Sequence, residues 1–65
     1  MPLVHIHILE GRSEEKVQKL IANVSQTVAD TLEVPLERVR VLVTEVPLTH
    51  WGVAGKSMAE RRKSE

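Results

Sequence analysis

The chain has 65 residues and a mass of 7.3 kDa, which limits it to a single domain over residues 1–65. Nine Lys and Arg balance nine Asp and Glu, so the formal net charge is zero, and this balance argues against nucleic acid or an anionic membrane as the main partner. Because cysteine is absent and no apolar run approaches the ~20 residues of a transmembrane helix, we expect a soluble cytoplasmic protein without disulfides or Cys-based zinc sites.

The first predicted element is a strand over residues 3–9, in which successive side chains alternate between two faces. One face carries Val4, Ile6 and Ile8, and the other carries Leu3, His5, His7 and Leu9. His5 and His7 share a face and could in principle chelate a metal. Since two histidines alone make a weak metal signal, hydrogen bonding or packing is the better interpretation, and we expect no metal site.

The second predicted element is a helix that begins after Ser13, a favoured N-cap residue. The apolar residues that follow recur at helical spacing and form one stripe: Val17, Leu20, Ile21, Val24, Val28 and Leu32. Pro35 disfavours a helical conformation at Val34, so we predict that the helix ends near Leu32 or Glu33.

The rest of the chain predicts a second strand, a hairpin and a tail. Residues 39–46 are rich in β-branched side chains and are followed by Pro47, which ends the strand. Gly52 and Gly55 predict a turn or short hairpin within residues 48–56. Residues 57–65 are mostly polar, and we predict a flexible or weakly helical tail there.

A strand, a helix and a second strand joined by short links make a β-α-β unit of the α+β class, with a parallel sheet. The helix can cover only one face of that sheet, and the other face still carries Leu3, Leu9, Leu42 and Val46. A chain of this length buries only about 60% of the surface that its unfolded form exposes. An uncovered apolar face does not suit a stable monomer, so we predict a homo-oligomer.

Pro2 is the candidate for chemistry at the start of the chain. A small residue after the initiator methionine normally lets Met1 be removed, which would leave Pro2 with a free secondary amine. Ordinary α-amino groups have a pKa of about 7.7–8.0. Nearby cations and an apolar wall would lower the pKa of this amine toward a free base at neutral pH. The alternative is that Pro2 only begins the strand, where it gives up no needed hydrogen-bond donor.

The length of the first strand separates Pro2 from Arg12. Seven strand residues at ~3.3 Å each put the two more than about 20 Å apart in one chain. If the strand pairs antiparallel with that of a second copy, Pro2 of one chain lies beside residues 9–12 of the other. Arg40 opens the second strand at the Pro2 end of the sheet, on the face that the helix leaves uncovered. An oligomer could therefore assemble a site that a monomer cannot.

Three stretches of the sequence resemble the 4-oxalocrotonate tautomerases. Residues 2–12, Pro-Leu-Val-His-Ile-His-Ile-Leu-Glu-Gly-Arg, are similar to the start of that family, which begins with proline and reaches Ile-Leu-Glu-Gly-Arg at this spacing. Residues 35–47, Pro-Leu-Glu-Arg-Val-Arg-Val-Leu-Val-Thr-Glu-Val-Pro, and 50–55, His-Trp-Gly-Val-Ala-Gly, are similar to its second strand and C-terminal hairpin. The likeness spans residues 2–56. It implies a β-α-β protomer of tautomerase type with a short C-terminal hairpin, assembled as a homohexamer that is a trimer of dimers.

The resemblance also implies roles for five residues, and a reaction without a cofactor. Pro2 is the general base and then acid, which moves a proton between a dienol oxygen and a carbon. Arg12 binds the distal carboxylate of the substrate, and Arg40, from a neighbouring subunit, holds the carboxylate and 2-hydroxy or 2-oxo end. Trp51 stands where the family usually has Phe, as the apolar wall that helps to keep the proline neutral, and Leu9 supports that wall.

The predicted function is that of an isomerase, a keto–enol tautomerase that converts 2-hydroxydienoates to 2-oxo-enoates. The best single substrate is 2-hydroxymuconate, isomerised to 2-oxo-3-hexenedioate in the catabolism of aromatic compounds. The expected partners are this small carboxylate or dicarboxylate dienol and further copies of the chain, with no nucleic acid and no membrane.

Two alternatives stay open. One is a family member with altered chemistry, such as hydration or dehalogenation of unsaturated acids, or a tautomerase step in secondary metabolism. The other is a non-catalytic oligomeric module that binds acidic metabolites through its arginines. Retention of Met1 would favour the module, because the Pro2 nitrogen would then lie in an amide and could not act as a base.

Overall fold

The computed structural model describes residues 1–63, which form a β-α-β unit followed by a small hairpin and a short helix. The elements in chain order are β1 (Leu3–Leu9), α1 (Glu14–Leu32), a 3₁₀ turn (Leu36–Arg38), β2 (Arg40–Val46), a second 3₁₀ turn (Leu48–His50), β3 (Gly52–Val53), β4 (Lys56–Ser57) and α2 (Met58–Lys63). The predicted α+β class and element order are confirmed. Within residues 1–63, none of the helices is both long and apolar enough to cross a membrane.

β1 and β2 form a two-stranded parallel sheet, paired in register from Leu3 opposite Arg40 to Leu9 opposite Val46. α1 packs on the sheet face whose side chains are half-buried, namely Val4, Ile6, Ile8, Val41 and Val43. The hydrophobic side chains that the described part of the chain buries are Ala29 and Val39, which are 5% and 8% exposed. The core therefore lies between α1 and one face of the sheet, as the alternation in the sequence predicts.

The opposite face of the sheet is uncovered in the protomer. Leu3 and Leu42 lie on it with 64% and 51% of their surface exposed. His5 stacks on His7 with ring centroids 4.4 Å apart, and His5 Nε2 lies 2.6 Å from Thr44 Oγ1. Stacking and hydrogen bonding thus account for the histidine pair. Exposed leucines on a two-stranded sheet favour association with further copies.

The ends of α1 are set by the residues that flank it. The Ser13 hydroxyl accepts a hydrogen bond from the Lys16 N–H at 3.3 Å and so caps the helix N-terminus. At the other end Glu33 adopts a left-handed conformation with φ of 56°, and the N–H groups of Glu33 and Val34 both donate to the Ala29 carbonyl. The predicted N-cap and the predicted end of the helix are confirmed.

β2 begins one residue later than the sequence predicts. The sequence predicts Val39 as the first residue of the strand, but the Val39 N–H donates to the Leu36 carbonyl at 3.1 Å and closes the 3₁₀ turn before the strand. The first ladder residue is therefore Arg40, which pairs with Leu3. This moves the boundary of the strand without exchanging its two faces.

The predicted hairpin is present within residues 51–57. Gly52 pairs with Ser57 and Val53 with Lys56 in an antiparallel ladder. Ala54 and Gly55 connect the two short strands, and their φ angles of 53° and 83° are both positive. Two consecutive positive φ angles are typical of a type I′ turn, the tight connection that suits twisted antiparallel strands.

α2 occupies most of the segment for which the sequence predicts a flexible or weakly helical tail. The Ser57 hydroxyl accepts from the Glu60 N–H at 3.2 Å, and the Met58 N–H donates to the Trp51 carbonyl at 2.8 Å. These two hydrogen bonds give residues 57–63 a helical start and a link to the hairpin. Residues 64 and 65 lie outside the described part of the chain, and the flexibility of the tail stays a prediction.

Candidate active site

Pro2 lies at one end of the sheet, next to β2 of its own chain. Its carbonyl accepts a hydrogen bond from the Arg40 N–H at 3.0 Å, which extends the ladder by one residue. Pro2 is half-buried, whereas Met1 is 83% exposed. The backbones of Pro2 and Arg40 are therefore neighbours within one chain, whereas the resemblance implies that a site takes its Arg40 from a different subunit.

An apolar groove with a volume of about 450 Å³ lies beside Pro2. It is lined by the start of β1 and the second half of α1: Pro2, Leu3, Val4, Thr27, Val28, Thr31 and Leu32. The sequence does not predict this groove. Val28 and Leu32 belong to the apolar stripe that predicts the core, yet Leu32 remains 56% exposed.

The Arg40 side chain is exposed but anchored at one nitrogen. Nη1 donates to the Glu37 carbonyl at 2.6 Å and to the Val39 carbonyl at 3.4 Å. The Nε and Nη2 groups make no hydrogen bond with other described residues. A guanidinium presents five N–H donors in a planar fork, so the donors that remain can bind a carboxylate at two points.

Leu9 and Arg12 lie at the opposite end of β1, where the chain turns toward α1. Gly11 makes this turn with φ of 117°, a conformation that side chains rarely adopt. Arg12 Nη1 donates to the Leu9 carbonyl at 3.1 Å, which holds the guanidinium near the end of the strand. Leu9 is half-buried and Arg12 is exposed.

Glu10 joins this end of β1 to the segment that leads to Trp51. Its N–H donates to the Val46 carbonyl at 3.0 Å, and its Oε1 accepts from the Leu48 N–H at 3.4 Å. Leu48 begins the second 3₁₀ turn, and the half-buried Trp51 follows that turn. No pattern in the sequence signals the role of Glu10, because the contact joins residues that are 38 positions apart.

The five predicted site residues fall into two groups at opposite ends of the sheet. Pro2 and Arg40 make one group, and Leu9, Arg12 and the segment of Trp51 make the other. β1 is extended over seven residues, so a rise of about 3.3 Å per residue separates the groups by about 20 Å. One protomer therefore does not bring Pro2 and Arg12 together.

The sequence as a whole matches a known enzyme family, since a family model described as tautomerase enzyme covers residues 2–61. The chain belongs to the tautomerase family. A curated relative of this tautomerase, the 2-hydroxymuconate tautomerase of Pseudomonas sp. (strain CF600), is 44% identical over 63 residues, which are 97% of this chain and 100% of the relative. The protein of the same name from Stutzerimonas stutzeri is 49% identical over 57 residues, 88% and 90% of the two chains.

Solved structures give the same family. TomN, a 4-oxalocrotonate tautomerase homologue in the tomaymycin biosynthetic pathway, superposes on this tautomerase with a TM-score of 0.93 at 44% identity, covering 95% of each chain. A heterohexameric 4-oxalocrotonate tautomerase from Chloroflexus aurantiacus superposes with a TM-score of 0.89 at 48% identity, covering 92% of this chain and 97% of that one.

The predicted family, the tautomerase-type fold and the predicted enzyme class are confirmed by these relatives. This tautomerase is an isomerase of the 4-oxalocrotonate tautomerase type. The relatives favour an enzyme over the non-catalytic module that the sequence alone left open.

Proposed function

We propose that this tautomerase ketonises 2-hydroxymuconate to 2-oxo-3-hexenedioate in the catabolism of aromatic compounds. The substrate is the one in the names of the relatives that are 44% and 49% identical to the chain. The observation that carries the proposal is the complementarity of the two ends of the sheet: Pro2 beside an apolar groove at one, and the Arg12 guanidinium with Leu9 and the segment of Trp51 at the other. A cytoplasmic location is part of the same proposal and rests on the sequence.

The proposed reaction is a proton shift in which Pro2 acts first as base and then as acid. Once Met1 is removed, the Pro2 nitrogen takes the proton of the 2-hydroxyl group. The electrons of the broken O–H bond form the 2-oxo group, the C2=C3 pair moves to C3=C4, and the C4=C5 pair takes the proton back from the amine at C5. The substrate and product are isomers, so the step needs no oxidant, reductant or cofactor.

Two guanidinium groups suit a substrate that carries a carboxylate at each end. In the proposed arrangement Arg12 binds the carboxylate next to C5 and draws electron density toward that carbon, while Arg40 binds the C1 carboxylate and the 2-oxygen. Leu9 and Trp51 form an apolar wall that limits water and helps to keep the Pro2 amine neutral.

The proposed site requires at least two copies of the chain. Antiparallel pairing of β1 with its symmetry mate would bring Pro2 of one protomer to Leu9 and Arg12 of the next, and three such dimers would form the homohexamer, with Arg40 supplied by a further neighbour. The exposed Leu3 and Leu42 support this assembly, as does the heterohexameric state of one solved relative.

Replacement of Pro2 by Ala tests the proposed base. We expect kcat/KM for 2-hydroxymuconate, followed by ultraviolet absorbance, to fall by a factor of about 10²–10⁴, the usual contribution of general acid–base catalysis. Intact-mass measurement must show that both proteins begin at residue 2, and circular dichroism must show that both are folded. Full activity in the folded Pro2→Ala variant would contradict the proposal.

A biosynthetic tautomerase is the second candidate, and the similarity to TomN is the observation that favours it. Rates on a dicarboxylate dienol, a monocarboxylate dienol and a halogenated acrylate separate the candidates. Preference for the dicarboxylate supports the catabolic assignment, preference for the monocarboxylate supports the biosynthetic one, and turnover of the acrylate points to the hydratase or dehalogenase alternative.

A further inference from the structure

We propose that Glu10 is a positioning residue, whose carboxylate fixes the turn that precedes Trp51 relative to the turn that presents Arg12. Because Arg12 and Trp51 have roles only under the proposed function, this inference rests on it.

Glu10 contacts the far end of β2 through both its backbone and its side chain. Its N–H donates to the Val46 carbonyl at 3.0 Å and extends the parallel ladder beyond Leu9. Its Oε1 accepts from the Leu48 N–H at 3.4 Å, two residues further along the second chain segment. One residue thus ties the end of β1 to both the last residue of β2 and the 3₁₀ turn that follows.

The Leu48 N–H needs an acceptor from outside its own turn. The first N–H groups of a helical turn have no partner within it. The residue in front, Pro47, makes no side-chain cap, and its carbonyl accepts from the His50 N–H at 2.9 Å. The Glu10 carboxylate, with Oε1 3.4 Å from this N–H, therefore serves as the cap.

The position of Glu10 couples this cap to the two proposed substrate-binding residues. Trp51 lies three positions after Leu48, directly behind the capped turn. Arg12 lies two positions after Glu10, across the glycine that makes the turn. A shift of the capped turn would change the distance between the apolar wall and the guanidinium, and a misplacement of about 1 Å at a binding residue can lower the rate about 100-fold.

The contact of Glu10 with a backbone N–H sets the variants that test the proposal. Glu10→Gln keeps the Oε1 acceptor and removes the charge, Glu10→Asp keeps the charge but shortens the reach, and Glu10→Ala removes the acceptor. Glu45→Ala is the matched control, since Glu45 is an exposed carboxylate near the end of β2 that forms no hydrogen bond with other described residues.

Trp51 provides a readout that does not depend on activity. It is the single aromatic residue of the chain, so protein fluorescence reports on its surroundings alone. We expect Glu10→Ala to shift the emission of Trp51 to longer wavelength, to increase its quenching by acrylamide and to lower kcat/KM for 2-hydroxymuconate about tenfold, as loss of one hydrogen bond predicts. Glu10→Gln and Glu45→Ala should match the wild type in both readouts.

Three results would overturn the inference: unchanged Trp51 emission and quenching in Glu10→Ala, a Glu10→Gln variant that behaves like Glu10→Ala, or altered emission without a change in kcat/KM. If Glu10→Ala does not fold, Glu10→Asp decides the question by the same emission shift. A wild-type protein that is inactive on 2-hydroxymuconate would instead contradict the proposed function, while the fluorescence comparison still tests the contact.

Discussion

The two candidate arginines are both anchored to backbone carbonyls, and both keep N–H donors that can bind a ligand. Arg40 Nη1 is fixed by two backbone carbonyls, those of Glu37 and Val39, whereas Arg12 Nη1 is fixed by one, that of Leu9. Both keep further N–H donors for a ligand, because a guanidinium has five. A lysine offers a point charge instead of a planar fork, so it would not replace either residue in two-point binding of a carboxylate.

Arg12→Ala should separate dicarboxylate from monocarboxylate substrates. We expect kcat/KM for 2-hydroxymuconate to fall about 10- to 100-fold, because a hydrogen bond between charged groups contributes ~1.5–3 kcal/mol. For a monocarboxylate dienol, which lacks the distal carboxylate, the fall should be less than about threefold. Steady-state kinetics on both substrates check this, with Arg61→Ala on the exposed surface of α2 as control. Equal losses on the two substrates would show that Arg12 does not bind the distal group.

Trp51 is the residue that the resemblance assigns to the apolar wall of the site. Trp51→Phe keeps an apolar ring but removes the indole N–H and some volume, so we expect kcat/KM to stay within about tenfold of the wild type. Trp51→Ala removes the wall, and we expect a larger fall together with a higher pH midpoint of kcat/KM, since water then favours the protonated amine. The pH profiles of the two variants check the prediction, which an identical midpoint in all three proteins would contradict.

At the scale of elements, turns and caps place the site residues more than the long elements do. Gly11 turns the chain before Arg12, Val39 closes the 3₁₀ turn before Arg40, and the hairpin follows Trp51. Two other residues hold left-handed conformations without being glycine, Glu33 after α1 and Ala54 in the hairpin turn, with φ of 56° and 53°. A side chain in this conformation is strained by roughly 1 kcal/mol.

Glu33→Gly should stabilise the protein, because glycine adopts the left-handed conformation at a helix C-terminus without strain. We expect the free energy of unfolding to rise by about 0.5–1 kcal/mol per protomer, less than the full strain because glycine also loosens the unfolded chain. Urea unfolding at one fixed protein concentration measures the change. Gln18→Gly, at an exposed position inside α1, is the matched control and should lower stability by about 1 kcal/mol. Loss of stability in both variants would be inconsistent with strain at Glu33.

The parts of the fold that local patterns determine could be predicted from the sequence, and those that depend on distant contacts could not. The alternation in β1 gives its two faces, and Ser13 gives the start of α1, because both act over a few residues. The Glu10 contact with Leu48 joins segments far apart in sequence, and the groove beside Pro2 depends on how α1 lies across the start of β1. The start of α2 has a local signal, because Ser57 lies three residues before Glu60 and accepts a hydrogen bond from its N–H. The polar composition of the segment instead predicts a flexible or weakly helical tail.

At the scale of the whole molecule, the protomer leaves an apolar sheet face exposed and keeps its candidate site residues apart, and oligomerisation would change both. Its described residues bury only two hydrophobic side chains, Ala29 and Val39, while Leu3 and Leu42 stay exposed on the uncovered sheet face. Its candidate site residues are divided between the two ends of β1, about 20 Å apart. Antiparallel pairing of β1 would bring the two groups of site residues together, and packing of such dimers on one another would cover the apolar face, so we expect stability and activity to depend together on protein concentration.

Subunit mixing tests whether Pro2 and Arg12 of one site come from different chains. Pro2→Ala and Arg12→Ala each damage every site of a homo-oligomer. In a mixed dimer, however, the Arg12→Ala chain supplies Pro2 and the Pro2→Ala chain supplies Arg12. One of the two sites in that dimer is therefore wild-type. Unfolding the two variants together and refolding them at equal concentration should therefore restore about a quarter of wild-type activity, because random pairing makes half of the dimers mixed and each has one intact site of two.

The matched control is a mixture of Pro2→Ala with the Pro2→Ala/Arg12→Ala double variant, in which no chain supplies the base. This mixture should stay at the activity of Pro2→Ala alone, so any gain in the first mixture cannot come from refolding itself. If Pro2 and Arg12 acted within one chain, mixing would leave every chain with a damaged residue and no activity would return. Recovery of activity therefore requires a site shared between protomers. The amount of activity recovered, measured as the ratio of the two variants is varied, reports how many chains contribute to each site.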